Sequence, residues 1–259
     1  MNLETDALQK MLTRLQLTAV RDQLDNLLDE AARRELNQRE TLSFLCEAEI
    51  ARKDQRRIAM GLSIAKFPFV RTLEDFDFHS QPSVDPKQIR ELATSRWVAN
   101  GDTLLLLGPP GVGKTHLAVA LGREAIQRGY TVLFTPAAVL AANLLRAHHG
   151  RRLEERLGHY GKPKLLIIDE LGYLPFEADA AHLFFQLVSR RYERGSIMVT
   201  SNRAVSEWAT VFGDAVVATA ILDRMLHHSH VLTIRGDSYR LREKKRSGLL
   251  KVPTETAKK

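Results

Sequence analysis

The stretch "GPPGVGKTHLA", from Gly108 to Ala118, follows the apolar run "TLLLL" and decides the fold of this chain. A strand that breaks into glycines and restarts as a helix leaves backbone N–H groups pointing at one spot, where the helix N-terminus adds partial positive charge. The spacing fits GxxxxGK[ST], in which the lysine reaches the outer phosphates and the hydroxyl ligates Mg²⁺. The stretch therefore predicts a site for a nucleoside triphosphate, formed by Gly108, Pro109, Pro110, Gly111, Val112, Gly113, Lys114, Thr115 and His116.

Length and composition indicate a globular protein with an anionic partner. A chain of 259 residues with 44% hydrophobic residues can hold one substantial α/β core and a smaller module. The net charge of +7 favours a partner beyond the nucleotide, and nucleic acid is the commonest anionic partner. The single cysteine, Cys46, permits no internal disulfide, fits a reducing compartment and lies in a helical pattern that predicts a small buried group.

The beginning of the sequence favours a cytoplasmic location. "MNLETDALQKML" is polar and acidic, whereas a signal peptide is basic and then apolar. No apolar run approaches the roughly 18 residues of a membrane span.

Apolar spacing divides the chain into segments. Residues 1–65 have apolar residues at helical spacing and predict a small all-helical N-terminal domain, and 66–86, with three prolines, are expected to be a linker. Strands then alternate with helices, which predicts a parallel sheet covered on both faces. The predicted strands are Thr103–Leu107, Thr131–Thr135, Lys164–Asp169, Ser196–Ser201 and Val231–Ile234.

Two runs carry the positive charge. Residues 146–164 hold six basic and two acidic residues, and the basic C-terminal tail, 242–259, holds seven basic and two acidic residues. Either run alone is more often a solvated face, but two such runs beside a nucleotide site favour contact with a nucleic-acid backbone. The candidate phosphate contacts are Arg146, Arg151, Arg152, Arg156, Lys162, Lys244, Lys245 and Arg246.

Acidic and amide side chains follow two further strands. "KLLIIDELGYLPF" places Asp169 and Glu170 after an apolar strand, about fifty residues beyond the lysine of the glycine-rich loop. In P-loop enzymes a carboxylate at that position holds Mg²⁺, and an adjacent glutamate can align the attacking water. Asn202 ends the strand "SIMVTSN", where a neutral amide can orient the same water. The pattern points to hydrolysis by water.

These motifs together resemble the AAA+ ATPases. "LLIIDELGYLPF", "TSNRAVSEWATVFGD" and "ILDRM" are similar to the branch that contains DnaC-type helicase loaders and IstB-type transposition helper ATPases. "AKFPFVRTLEDFDF" resembles the linker of the IstB family, so the similarity covers nearly the whole chain. The resemblance implies a P-loop AAA+ ATPase core with a parallel sheet over 87–241, with a reduced or absent helical lid.

The resemblance also implies roles for single residues. Lys114 and Thr115 would contact phosphate and Mg²⁺, Asp169 would be the Walker B acid and Glu170 the catalytic glutamate. Asn202 would be the polar sensor, and Arg224 in "ILDRM" an arginine finger acting on a neighbour's nucleotide, although a surface arginine is an alternative. Arg240 is a weak candidate for a second arginine sensor. Phe76 and Phe78 lie where relatives wrap the adenine.

Other rings and imidazoles have simpler interpretations. Trp208 and Phe212, at i and i+4, are expected to be core anchors. His227, His228 and His230 resemble a metal cluster, but no cysteine or acid stands at ligand spacing nearby in the sequence, so a zinc site is not expected.

The sequence and its resemblance thus predict a cytoplasmic ATPase that uses ATP and Mg²⁺. It is expected to assemble as a homo-oligomer on double-stranded DNA, largely without sequence preference, and to help an IstA-like transposase capture target DNA. A DnaC-like replicative helicase loader is the alternative, and a small-metabolite P-loop kinase is disfavoured by Glu170 beside Asp169.

Overall fold

The computed structural model describes residues 3 to 239, which divide into two compact units, one up to Met60 and one from Gly61. The candidate tail contacts Lys244, Lys245 and Arg246, and also Arg240, lie outside the described residues. The first unit is helical. Its helices are α1 (Leu3–Arg14), α2 (Thr18–Asp22), α3 (Leu24–Arg33) and α4 (Gln38–Ala65), the last of which continues into the second unit.

A buried carboxylate organises the first unit. Glu49 on α4 is 2% exposed and accepts hydrogen bonds from the backbone N–H groups of Ala19 and Val20, at 2.6 and 3.2 Å, at the start of α2. Burial opposes ionisation of Glu49, but the backbone donors outweigh it and lower the pKa. Cys46 on the same helix is exposed, so the expectation that it is buried is wrong.

The second unit is built on a parallel sheet of five strands in the order β2-β3-β4-β1-β5. All five predicted strands are present, which confirms the α/β class. They are β1 (Thr103–Leu107), β2 (Val132–Pro136), β3 (Leu165–Leu171), β4 (Ser196–Ser201) and β5 (Ser229–Thr233). β1, β3 and β4 are buried almost throughout, as expected for a parallel sheet covered on both faces.

Helices connect and cover the strands. They are α5 (Pro86–Ala93), α6 (Arg96–Asn100), α7 (Lys114–Gln127), α8 (Ala137–His149), α9 (Leu153–Gly161), α10 (Ala178–Arg191), α11 (Trp208–Phe212) and α12 (Ala215–His227), with a 3-10 turn at Val205–Glu207. Trp208 and Phe212 are fully buried, as expected, and Phe212 stacks on Phe184 with ring centroids 5.4 Å apart. None of the helices within residues 3 to 239 is both long and apolar enough to cross a membrane.

A buried arginine fastens the amino ends of the central strands. The guanidinium of Arg191, at the end of α10, is 1% exposed and donates to five carbonyl oxygens before and within the sheet. These belong to Tyr160, Gly161, Pro163, Lys164 and Ser196. Burial lowers the pKa of Arg191 to about 10, so the group is still charged at neutral pH.

Replacing Arg191 should therefore destabilise the second unit. Arg191→Met leaves the five carbonyl oxygens without their donor, and we expect the free energy of unfolding to fall by on the order of 3 kcal/mol in urea denaturation. The neighbouring Arg190 is the matched control, because its exposed ion pair with Glu154 contributes at most about 1 kcal/mol. Equal losses for Arg190→Met and Arg191→Met would contradict this role.

Candidate functional site

The glycine-rich loop joins β1 to α7 at the carboxyl edge of the sheet. Gly113 caps α7 with a φ of 102°, and a Cβ there would lie 2.7 Å from the Phe76 ring. Gly111 has a φ of 81°, and a Cβ there would lie 2.2 Å from Oγ of Ser238. Both positions need glycine for its backbone freedom and its lack of a side chain. The loop therefore lies close to Phe76, which precedes β1 in the sequence, and to Ser238, which follows β5.

Lys114 opens α7, and its ammonium group lies over the loop. Its Nζ donates to the carbonyl oxygens of Gly108 and Pro109, at 2.7 Å each. The first turn of the 14-residue helix α7 directs its backbone N–H groups and the positive end of its dipole toward the same place. This arrangement suits a phosphate chain.

A β-bulge sets the acidic side of the site. β3 and β4 pair Ile168 with Val199 but Leu171 with Ser201, so β3 holds one extra residue. Thr200 faces this irregularity and is fully buried. Its hydroxyl donates to Oδ1 of Asp169 at 2.6 Å, and its Oγ1 accepts from the backbone N–H of Glu170 at 2.9 Å. The bulge thus turns two successive acidic residues in different directions.

Asp169 connects the bulge to α7. The Thr115 hydroxyl lies 3.0 and 3.2 Å from the two carboxylate oxygens of Asp169. Burial raises the pKa of Asp169, against the hydrogen bonds of Thr200 and Thr115 and the charge of Lys114. A hydroxyl and a carboxylate beside a phosphate cradle are hard oxygen donors that fit Mg²⁺. A dication would also offset the electrostatic cost of the buried carboxylate.

Glu170 and Asn202 lie beyond the bulge. Glu170 is exposed and has a left-handed backbone with a φ of 62°. Oδ1 of Asn202 is buried and has no hydrogen-bond partner among the described residues. Because Leu171 pairs with Ser201, these two side chains flank the same register position at the carboxyl edge. The Glu170 carboxylate, acting as a base, and the amide oxygen of Asn202 can both orient a water molecule there.

The stretch before α5 supports the loop. Residues 66 to 85 contain neither helix nor strand, yet Phe76 is 8% exposed, and its ring packs edge-on against His116 with centroids 5.3 Å apart. Phe78, whose centroid is 4.9 Å from that of Phe76, is only partly buried. Gln81 donates to the carbonyl oxygen of Val112 at 3.1 Å. This contact is not predictable from the sequence, since an isolated glutamine in a linker carries no pattern.

Comparisons with known proteins identify the family of this chain. Residues 10–247 match the family model described as IstB-like ATP binding protein. The chain belongs to this family. It is 47% identical, over 94% of its length and 92% of the relative's, to an ATP-binding protein of insertion sequence IS21 from Pseudomonas aeruginosa. It is 44% identical, over 90% of its length and 92% of the relative's, to an ATP-binding protein of insertion sequence IS5376 from Geobacillus stearothermophilus.

Solved structures support the P-loop AAA+ fold of this IstB-like chain. DnaI matches with a TM-score of 0.51 and 25% identity, over 65% of this chain and 89% of that one. AMPPCP-bound DnaA from Aquifex aeolicus matches with a TM-score of 0.55 and 21% identity, over 74% of this chain and 58% of that one. These likenesses concern the fold.

Arg224 lies away from the other candidate residues of the IstB-like chain. It is on the last turn of α12, with its guanidinium 4.6 Å from the centroid of Phe185. It lines a cavity of about 30 Å³ together with Gly101 and Thr103, at the amino end of β1, whereas the glycine-rich loop follows the carboxyl end. The structure therefore does not bring Arg224 to the nucleotide site of its own chain.

The described basic candidates cluster on two helices. Arg146 lies on α8, Arg151 and Arg152 in the turn after it, Arg156 on α9 and Lys162 at the end of α9. All except the half-buried Arg156 are exposed. Nearby, burial lowers the pKa of His159, and the charges of Arg156 and Lys66 lower it further.

The raised pKa of Asp169 gives a pH-dependent stability. A carboxyl group whose pKa is higher in the folded protein than in the unfolded chain adds stability at low pH, and this stability is lost as the pH rises through the folded pKa. Asp169→Asn should therefore unfold at a higher urea concentration than the wild type at about pH 7, and the advantage should shrink toward about pH 4. Asp179→Asn, at the exposed first turn of α10, controls for the removal of one negative charge. A pH-independent difference would contradict this interpretation.

Proposed function

We propose that this chain is an ATPase that assembles on double-stranded DNA when ATP is bound and helps a transposase capture target DNA. Hydrolysis resets the assembly. The observation that carries the proposal is the bulge at Asp169 and Glu170, which places one carboxylate 3.0 Å from the Thr115 hydroxyl and leaves the next one exposed beyond it. The insertion-sequence names of the similar ATP-binding proteins support the transposase as partner.

The residues of the site divide the work of hydrolysis. Lys114 and the start of α7 bind the phosphates, and Thr115 with Asp169 would hold Mg²⁺, which neutralises charge on the phosphate oxygens. Glu170 accepts a proton from the attacking water, and Asn202 orients that water through its amide. Asp169 cannot take the part of the base, because its oxygens are engaged by the Thr115 and Thr200 hydroxyls.

Arg224 of a neighbouring chain supplies the positive charge that stabilises the transition state. A phosphoryl-transfer transition state spreads negative charge over the γ-phosphate oxygens, and an arginine in trans can contribute about 10³-fold or more in rate. Arg224 lies at the opposite end of β1 from its own glycine-rich loop, so it is available only to a neighbour. A homo-oligomer is therefore the active form in this proposal.

The basic residues on α8 and α9 contact the DNA backbone. Arg146, Arg151, Arg152 and Lys162 are exposed, and the sequence between β2 and β3 that carries them is rich in arginine and histidine. Phosphate contacts of this kind carry little sequence information, which fits a protein that accepts many target sites.

The alternative is a DnaC-like replicative helicase loader, which the P-loop, the acidic pair and the "ILDRM" motif also resemble. The two roles share the ATP site and differ in the partner. An integrase-like transposase gene beside this gene would support the first role, and a position in a replication locus would support the second.

Hydrolysis should require two chains. Arg224→Ala keeps an intact ATP site and Glu170→Gln keeps the arginine finger, so each variant alone should hydrolyse ATP slowly while binding it normally. Mixing the two creates interfaces in which an intact site meets an intact finger, and phosphate release should recover to about a quarter of the wild-type rate if mixed pairs form at random. Lys114→Ala, which loses ATP binding and with it assembly, should not rescue Arg224→Ala.

Two results would contradict action in trans. One is normal hydrolysis by Arg224→Ala alone. The other is no recovery on mixing although the two variants co-assemble, as measured by light scattering with ATP.

DNA binding should be steeply salt-dependent and should weaken when arginines on the α8–α9 pair are neutralised. We expect the triple change Arg151→Ala, Arg152→Ala and Arg156→Ala to reduce the slope of log K against log salt by about 0.9 for each lost phosphate contact. Fluorescence anisotropy with two duplexes of unrelated sequence measures both the slope and the lack of sequence preference.

A matched triple variant tests whether any loss of charge has this effect. Arg90, Arg96 and Arg194 are exposed on the same unit but outside the basic run, and their replacement by alanine should leave the slope nearly unchanged. If the two triple variants behave alike, the α8–α9 arginines are a solvated face.

A further inference from the structure

Three metal-binding side chains meet far from the nucleotide site. Glu193, His227 and His228 each offer one ligand atom, and these atoms lie within 4.8 Å of one another. No other group of this kind occurs among the histidine, cysteine, aspartate and glutamate residues that the structure describes. All three side chains are exposed, so an ion can reach them and they can move to close around it.

The fold, and not the sequence spacing, creates this cluster. His227 ends α12 and His228 follows it, while Glu193 lies in the turn from α10 to β4, with a left-handed backbone at a φ of 57°. The acid stands 34 residues before the first histidine, so no acid stands at ligand spacing in the sequence. His230, the third histidine of the sequence cluster, instead lies 3.5 Å from Asp102. The fold therefore brings to these two histidines an acid that the sequence spacing does not reveal.

Tyr192 contacts one member of the cluster. Its hydroxyl oxygen lies 2.7 Å from Nδ1 of His227, and which of the two groups donates depends on the imidazole tautomer. When Nδ1 carries the proton and donates to the hydroxyl oxygen, Nε2 keeps its lone pair for an ion. Metal-binding histidines are commonly oriented in this way through their other ring nitrogen.

The surrounding charges allow a cation. Asp223 and Glu193 both act on Tyr192 as negative charges, while Arg224 acts as a positive one. The Arg224 guanidinium is held over the Phe185 ring, with Cζ 4.6 Å from the ring centroid. The charged groups that act on Tyr192 are thus two carboxylates and one guanidinium.

We propose that Glu193, His227 and His228 bind a divalent transition-metal ion of the Zn²⁺ type. Two imidazoles and one carboxylate suit Zn²⁺ and disfavour Mg²⁺, which prefers oxygen ligands. Zinc ligands at about 2.1 Å from the ion lie roughly 3.4 Å apart, a closure that small rotations of exposed side chains achieve. The ion joins the end of α12 to the α10–β4 turn, three residues beyond Arg224. This site does not depend on the proposed ATPase activity.

Binding of Zn²⁺ to the untagged full-length chain tests the site. After removal of metal by dialysis, competition with a chromophoric chelator should show one bound Zn²⁺ per chain that is lost in the His227→Ala/His228→Ala variant, with affinity reduced by about 100-fold or more. Glu193→Gln should weaken binding, and Tyr192→Phe should weaken it by about 10-fold, since Tyr192 only orients His227. Zn²⁺ should raise the Tm of the wild type but not of the double variant.

A second histidine pair provides the matched control. His148 and His149 are also consecutive, exposed and at the end of a helix, with ring centroids 5.8 Å apart, but they belong to no three-residue group. His148→Ala/His149→Ala should bind Zn²⁺ like the wild type. The proposal is overturned if this control loses the ion as well, or if the His227→Ala/His228→Ala variant, folded by circular dichroism, keeps it.

Discussion

The hydrogen bond from the Thr200 hydroxyl to the Asp169 carboxylate is the contact on which the rest of the site depends. This hydrogen bond is 2.6 Å long, and Thr200 is fully buried. The hydroxyl oxygen of Thr200 also accepts a hydrogen bond from the backbone N–H of Glu170 at 2.9 Å. Thr200 thereby donates to a buried carboxylate, which Thr115 also contacts, and holds the irregular residue of β3 in place. A buried carboxylate without such donors costs far more than one hydrogen bond contributes, so the bulge and the threonine need each other.

From this contact the site extends to distant parts of the chain. Asp169 reaches Thr115 on α7, the loop before α7 rests on Phe76, and Gln81 holds the Val112 carbonyl. Residues 66–86, which the sequence predicts to be a linker, therefore contact the glycine-rich loop directly. A change at Gln81 or Phe76 would alter the loop geometry without touching phosphate.

Local patterns predicted the sheet and the loop, because strand periodicity and the GxxxxGK[ST] spacing are properties of neighbouring residues. The bulge, the Gln81 contact and the approach of Glu193 to His227 were not predictable, since each joins residues from different elements and has no fixed spacing. The expected burial of Cys46 failed because α4 also leaves Leu42 and Ile50 exposed, so apolar periodicity does not mark a buried face there.

The two ends of the sheet carry different parts of the proposed mechanism. β1 has five residues, so its ends are separated by about 15 Å, more than an arginine side chain spans. The carboxyl end holds Lys114 and Asp169, and the amino end holds Arg224 beside the Glu193–His227–His228 cluster. In the proposed mechanism, the arginine reaches the phosphates only where the amino end of the sheet in one chain meets the carboxyl end of the sheet in another. In this proposal assembly controls hydrolysis directly, and an ion bound at the end of α12 would act on the part of the chain proposed to reach the neighbour.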